Sequence, residues 1–306
     1  MSCLQPLRRS RKSMLLKSTT VHSDSALPQL DLAGFTLLAT VIGQAAGINL
    51  GTDKRLMVQT RLMRRLRQLQ LTTFAEYVRY VTTSTTQELP HLLDAVTTNK
   101  TEFFRERPHF EHLIERAFAQ WKDGVSSNNS SSGNDGPIRI LSAGCSSGEE
   151  PYSIAMCARE ALGDEAARLV RIDAGDISQT KLAEAKRGVY PSTSVAHLGR
   201  MRLTRHFLKG QNQCDGQVKV RPEARQMIAF ERINLIHPLP YAHRFHAIFC
   251  CNVAIYFDAK VQATVFGHIY NALRPGGLLF IGHAETLRLA GDLPFRNVRI
   301  ATYLRG

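Results

Sequence analysis

The second half of the chain alternates short apolar runs with longer amphipathic ones, and this limits the folds available to it. Strand-like runs stand at 138–143 (IRILSA), 170–175 (VRIDAG), 228–231 (IAFE), 246–250 (HAIFC), 278–282 (LLFIG) and 298–304 (VRIATYL). Helical patterns at 151–162, 178–187 and 259–273 separate several of them. Strands alternating with helices predict βαβ units and a mostly parallel sheet covered on both faces, an α/β fold. The RPGG stretch at 274–277 reads as a turn that stops one helix and launches a strand. Between Tyr190 and about Arg225 the alternation is interrupted, which reads as an inserted small subdomain of mixed structure.

The rest of the chain has a different texture. From about 31 to 121 the pattern is helical. Val58, Leu62, Leu66 and Leu69 recur at helical spacing, and Phe110, Leu113, Ile114 and Phe118 do so after Pro108. A small all-helical N-terminal domain is expected over 31–121. Residues 122–137 are rich in Ser, Asn and Gly and read as a linker. The remainder, 138–306, is the α/β domain with its insertion. Residues 1–30 read as a flexible basic extension, with an organellar transit peptide the less favoured alternative. No apolar run is long enough to span a bilayer, and the start lacks the apolar core of a secretory signal. The six cysteines form no CxxC pair and lie at no zinc spacing, so reduced thiols in the cytosol are expected. The net charge of +13 favours an acidic partner.

In an open parallel sheet, ligands bind beyond the carboxyl ends of the strands, where the strand order reverses. The first strand runs into LSAGCSSGEEPYSIAM (141–156). A phosphate-binding loop would carry a Lys where Glu149 and Glu150 stand. Two carboxylates repel phosphate but suit a cationic nucleoside, and S-adenosylmethionine combines ribose, ammonium and sulfonium. Asp176 ends the second strand, where an acid can bond a ribose hydroxyl pair. Asp also suits the N-cap of a helix starting near Ser178. The glycine loop upstream favours the ribose.

These segments carry a family resemblance. TTNKTEFFRERPHF (97–110), SAGCSSGEEPYSIAM (142–156), GDISQTKLAEAKRGVY (175–190), FERINL (230–235), FHAIFCCNVAIYFD (245–258) and LRPGGLLFIGHAET (273–286) are similar, in the same order, to motifs of the chemotaxis-receptor methyltransferases, the CheR family. The similarity runs from about Phe35 to the C-terminus. It implies a helical domain joined to an S-adenosylmethionine-binding, Rossmann-like methyltransferase domain. The implied reaction makes methyl esters on glutamate side chains of cytoplasmic chemoreceptor helices, leaving S-adenosylhomocysteine.

By the same resemblance, the cofactor-site residues are Asn99, Thr101, Arg105, Glu150 with Glu149 next best, Asp176, Asn234, Leu235, Cys250 and Cys251. Arg105 and Tyr256 are the implied catalytic residues. The family's Arg before Asn-Val is Cys251 here, a departure that puts a contact at that position in doubt. Lys54, Arg61, Arg64 and Arg65 are expected to share one helix face and to dock an acidic receptor helix. His283 and Glu285 are expected to shape a loop. A glutamate acceptor is already ionised near neutral pH, so neither a general base nor a metal is expected. The implied protein is a cytoplasmic monomer that binds no nucleic acid and inserts in no membrane. Two rivals are a nucleic-acid methyltransferase on the same scaffold and a non-catalytic cofactor-binding docking protein.

Overall fold

A computed structural model describes residues 28–126, 136–287 and 293–306. The expected extension 1–30 and linker 122–137 therefore fall mostly outside the described residues. Four helices, Leu32–Ala46, Arg55–Gln68, Phe74–Thr83 and Thr85–Val96, enclose one core that includes Phe35, Leu38, Val58, Leu62, Leu66, Tyr77 and Leu92. Local signals set their ends. Asp31 accepts from Gly34 N at the first start, Gly47 closes that helix at φ 71°, and Thr73 and Glu76 form a capping box.

The strands are β1 (Ile138–Ala143), β2 (Val170–Asp176), β3 (Val189–Pro191), β4 (Phe207–Lys209), β5 (Gln217–Val220), β6 (Ile228–Arg232), β7 (Phe245–Cys250), β8 (Leu273–Ile281), β9 (Phe295–Arg299) and β10 (Thr302–Arg305). Seven of them form one sheet in the order β6-β2-β1-β7-β8-β10-β9. The strands from β6 to β8 are parallel, and β10 is antiparallel to both neighbours. The chain steps outward from β1 through β2 to β6 and then returns to place β7 on the other side of β1. The order reverses between β1 and β7, so a crevice opens at their carboxyl ends. The insertion carries a separate antiparallel sheet, β3-β5-β4.

Four expectations need correction. The helical unit does not run to residue 121: Phe103, Phe104, Phe110, Leu113, Phe118 and Trp121 are buried with Ile138, Ile140, Phe249 and Phe280 against the large sheet. Aromatic residues draw the segment there, with Phe110 stacked on Phe249 at 5.8 Å and Phe249 on Phe280 at 4.4 Å. Helix also continues through Ser126, into the stretch expected as linker. The run 298–304 is a hairpin, not one strand, because β9 and β10 meet at a turn where Ala301 sits at φ 51°. The RPGG stretch lies inside β8 as an irregular entry, with Gly276 at φ 71° and a register shift against β7. Among the described residues, no helix is long and apolar enough to cross a membrane.

Candidate active site

The loop after β1 is stitched to the end of β2. Gly144 N and Cys145 N both donate to Gly175 O, at 2.8 and 2.9 Å. Gly144 has φ 85°, and a Cβ there would lie 2.4 Å from Val253 Cγ2, so only glycine lets the loops after β1 and β7 approach this closely. Asp176, 7 % exposed, accepts from Ser146 N and Ser178 N, both at 2.8 Å. The cap of the following helix is Ser178, which accepts from Lys181 N, so Asp176 is not the N-cap. Each Asp176 oxygen keeps acceptor capacity toward the cavity it lines. Burial raises the Asp176 pKa, and the backbone N–H bonds oppose that rise.

Glu150 lines the same cavity and accepts from Ser142 Oγ at 2.6 Å. Loss of solvation pushes its pKa up to about 7, against the hydrogen bonds from Ser142 and the Cys251 thiol. Cys251 also lines the cavity, and its Sγ donates to Phe280 O at 3.7 Å. The Cys251 thiol gives Glu150 only a weak donor as neighbour there. Two expected residues are elsewhere. Glu149 is buried beneath the loop, accepts from Ser147 Oγ at 2.7 Å and does not line the cavity. Cys250 is fully buried among Leu141, Ile248 and Phe266, because alternation along β7 turns it to the face opposite Cys251.

The cavity is about 520 Å³ and lies between the two halves of the molecule. Ala46, Ile48, Asn49, Lys54, Met57 and the segment Val96–Glu102 line it from the helical side. Asn99, Thr101, Arg105, Asn234, Leu235 and Tyr256 all line it, as the motifs imply. The segment over the cavity is pinned from below: Tyr256 OH donates to Thr98 O at 3.4 Å and Ser146 Oγ donates to Asn99 O at 3.2 Å. Arg105 Nη1 donates to Lys100 O at 2.9 Å. Asn49 N donates to Tyr256 O at 2.8 Å, and Asn234 Nδ2 donates to Ala45 O at 2.8 Å. Glu285 accepts from the backbone N–H groups of Asn252, Ile255 and Gly282, so it shapes the loop after β7, where Asn252 has φ 61°.

Sequence reasoning did not single out Ser142, Ser146, Ile48 or Asn49. The two serines lie inside the quoted glycine loop, where the carboxylates drew attention. Ile48 and Asn49 carry no motif, and only the pairing of Ile48 with Phe257 brings them to the site.

The expected docking face is divided. Arg65 makes paired hydrogen bonds to Glu88, which is fully buried and also accepts from Tyr77 OH. Arg61 donates to Val96 O, Thr97 O and Thr98 Oγ1, closing the carboxyl end of the helix Thr85–Val96. Those two arginines lie four residues apart and so share one face, which is turned toward the helix Thr85–Val96. Lys54 and Arg64 remain exposed. Among the described residues one group offers metal-ligand atoms: Glu106, His109 and His283, all within 4.8 Å of one another. Its atoms already bond within the protein, His109 Nε2 to Ile281 O at 2.8 Å and His283 Nδ1 to Glu106 at 3.0 Å.

The chain matches the model of the CheR methyltransferase all-alpha domain over residues 33–97 and that of the CheR methyltransferase SAM binding domain over residues 99–304. The chain belongs to the CheR methyltransferase family. It is 37 % identical over 257 residues to the chemotaxis protein methyltransferase of Escherichia coli, covering 83 % of this chain and 84 % of that one. It is 39 % identical over 248 residues to chemotaxis protein methyltransferase 2 of Pseudomonas aeruginosa, covering 81 % and 84 %. It is 34 % identical over 269 residues to the chemotaxis protein methyltransferase of Borreliella burgdorferi, covering 87 % and 92 %. The boundary between the two CheR matches falls within the Val96–Glu102 segment that lines the cavity.

Proposed function

We propose that this CheR-family enzyme transfers a methyl group from S-adenosylmethionine to glutamate side chains on the cytoplasmic helices of chemoreceptors. One observation carries the reading: the cavity has a buried carboxylate at Asp176 and a half-buried one at Glu150, and cations outnumber the single carboxylate of Glu102 among the exposed charged lining residues Lys54, Lys100, Glu102 and Arg105. Such polarity suits a cationic nucleoside inside and an anionic acceptor outside. The cavity volume lies within the ~300–1,000 Å³ of small-molecule sites. Asp176 has lone pairs for ribose hydroxyls, Glu150 a carboxylate for a cationic centre, and Asn234 and Leu235 a polar and an apolar surface for the adenine. When bound, the cofactor supplies an electrophilic methyl on a sulfonium.

The residues of the chain then have three tasks. Arg105 and Tyr256 orient the acceptor carboxylate, which is ionised near neutral pH and needs no base. The segment Val96–Glu102 covers the cavity and excludes water, which strengthens the attraction between opposite charges and fixes their approach. Lys54 and Arg64 attract an acidic helix to the exposed side. This reading places the protein in the cytoplasm as a monomer acting on protein rather than nucleic acid. The test is transfer of tritiated methyl to receptor cytoplasmic fragments, read as base-labile ester. Arg105→Ala should lower that transfer on the order of 100-fold while S-adenosylhomocysteine still binds. Wild-type turnover in that variant would remove Arg105 from the mechanism, and label appearing in RNA instead would reassign the substrate.

A further inference from the structure

The insertion between β2 and β6 holds the active-site segment Phe103–Arg105 from several sides. His197 Nε2 lies 3.0 Å from Phe103 O. The Phe103 ring packs edge-on against Tyr190 at 5.0 Å and Phe207 at 5.4 Å, both on strands of the small sheet. The Arg202 guanidinium lies 4.0 Å from the centroid of the Phe104 ring, with Phe110 packed at 5.1 Å. The same guanidinium makes two hydrogen bonds of 2.8 Å to Glu160, on the helix Glu149–Leu162.

Phe104 needs this support. Its φ is 57°, a left-handed conformation that a bulky side chain adopts only when its surroundings impose it. Its N–H donates to Ser153 Oγ at 3.0 Å, so the core helix holds the backbone while the insertion holds the ring. Arg105 follows directly and lines the cavity. If the ring of Phe104 were released, the backbone at 104 would relax toward negative φ and carry Arg105 with it.

We propose that the insertion is a positioning element for the acceptor end of the site, and that Arg202 is the positioning residue that sets Arg105 through Phe104. The inference rests on the role given to Arg105 above. It makes the insertion part of the catalytic geometry in addition to any partner it binds.

The test compares the full chain with Arg202→Gln, Arg105→Ala and the double variant, assayed for methyl-ester formation at saturating receptor fragment and cofactor. Arg202→Gln should lower kcat on the order of 10-fold or more, because small misplacements of an orienting group cost that much. Its affinity for S-adenosylhomocysteine should stay within about twofold, since Arg202 is not among the residues that line the cavity. In the Arg105→Ala background the same substitution should produce no further loss. An unchanged kcat, or the full loss repeated in that background, would overturn the proposal. Normal turnover in Arg105→Ala alone would instead overturn the role of Arg105. Removing Arg202 leaves Glu160 with His206 alone as partner, so Phe104→Leu provides a second route that keeps the Arg202–Glu160 pair. It too should lower kcat about 10-fold without loss of S-adenosylhomocysteine affinity, and an unchanged kcat would refute the coupling.

Discussion

Glu150 allows the charge logic of the site to be tested quantitatively. Its ordinary pKa of 4.5 is pushed up to about 7, chiefly by burial. In the free protein the unfolded chain loses this proton near pH 4.5 and the folded chain near pH 7. The fold therefore loses stability as pH rises between those values, and the loss is complete above them. The difference, about 7 minus 4.5, corresponds to at most about 3 kcal/mol. Water entering the cavity reduces it. A cationic ligand reverses the balance, because it favours the ionised carboxylate. If the bound form returns to the ordinary value, S-adenosylmethionine affinity should rise about tenfold per pH unit through this window and level off above pH 8. At pH 6 it should be roughly tenfold below that plateau. Calorimetric titration at fixed ionic strength from pH 5.5 to 8.5 reads the slope directly. Glu150→Gln should flatten it, weaken binding at pH 8 and raise the melting temperature of the free protein at the same pH. An equally steep slope in the Gln variant, or unchanged affinity at pH 8, would refute the assignment of Glu150 to the cationic part of the ligand.

Gly144→Ala should lower S-adenosylhomocysteine affinity at least ~10-fold with little change in far-UV circular dichroism, because the added Cβ meets Val253 in the cavity wall rather than a core helix. Arg65→Ala should destabilise the helical half by about 3–5 kcal/mol in denaturant melts, since it leaves the buried Glu88 without its cation. Arg64→Ala should leave stability unchanged and raise KM for receptor fragments, which separates the exposed arginine from the structural one. Glu160 is held down at about 2: burial alone would raise it, but the hydrogen bonds from His206 and Arg202 outweigh that. The pair should therefore contribute up to about 3 kcal/mol above pH 5, lost as pH falls toward 2, and acid titration of Glu160→Gln should lack this component.

The parts of the fold legible in the sequence are those where local chemistry and tertiary position agree. The runs at β1, β2 and β7 are almost wholly buried, so their apolar character survives in any context. Asp176, Glu150, Asn99 and Tyr256 lie within motifs long enough to place them at one sheet edge. The misses have a common cause. Arg61 and Arg65 have the periodicity of an exposed face, and only the position of the helix Thr85–Val96 decides that they turn inward. The helix beginning at Arg107 has an apolar stripe that fits either core, and the stacking of Phe110 on Phe249 decides which one it joins. Ala301 turns the chain without Gly or Asn, so nothing local announces the hairpin. Glu149 and Glu150 differ by one helical step, about 100°, which turns one into the cavity and the other away from it.

The site also explains why two folding units share one reaction. The α/β half alone offers Asp176 and Glu150 but leaves the crevice open above them. The helical half closes it with the Val96–Glu102 segment, and Arg61 fixes the start of that segment from the same helix that exposes Arg64. Under the proposed function, docking of an acidic helix on Arg64 and the placement of Thr98 and Asn99 would therefore depend on one element. Tyr256 joins the halves by two bonds, from its hydroxyl to Thr98 and from Asn49 to its carbonyl. Loss of the hydroxyl in Tyr256→Phe removes only the longer bond, 3.4 Å, so its cost belongs to acceptor alignment more than to closure. Loss of the ring in Tyr256→Ala would remove cavity wall as well, so the two substitutions should separate in cofactor affinity even where both slow transfer.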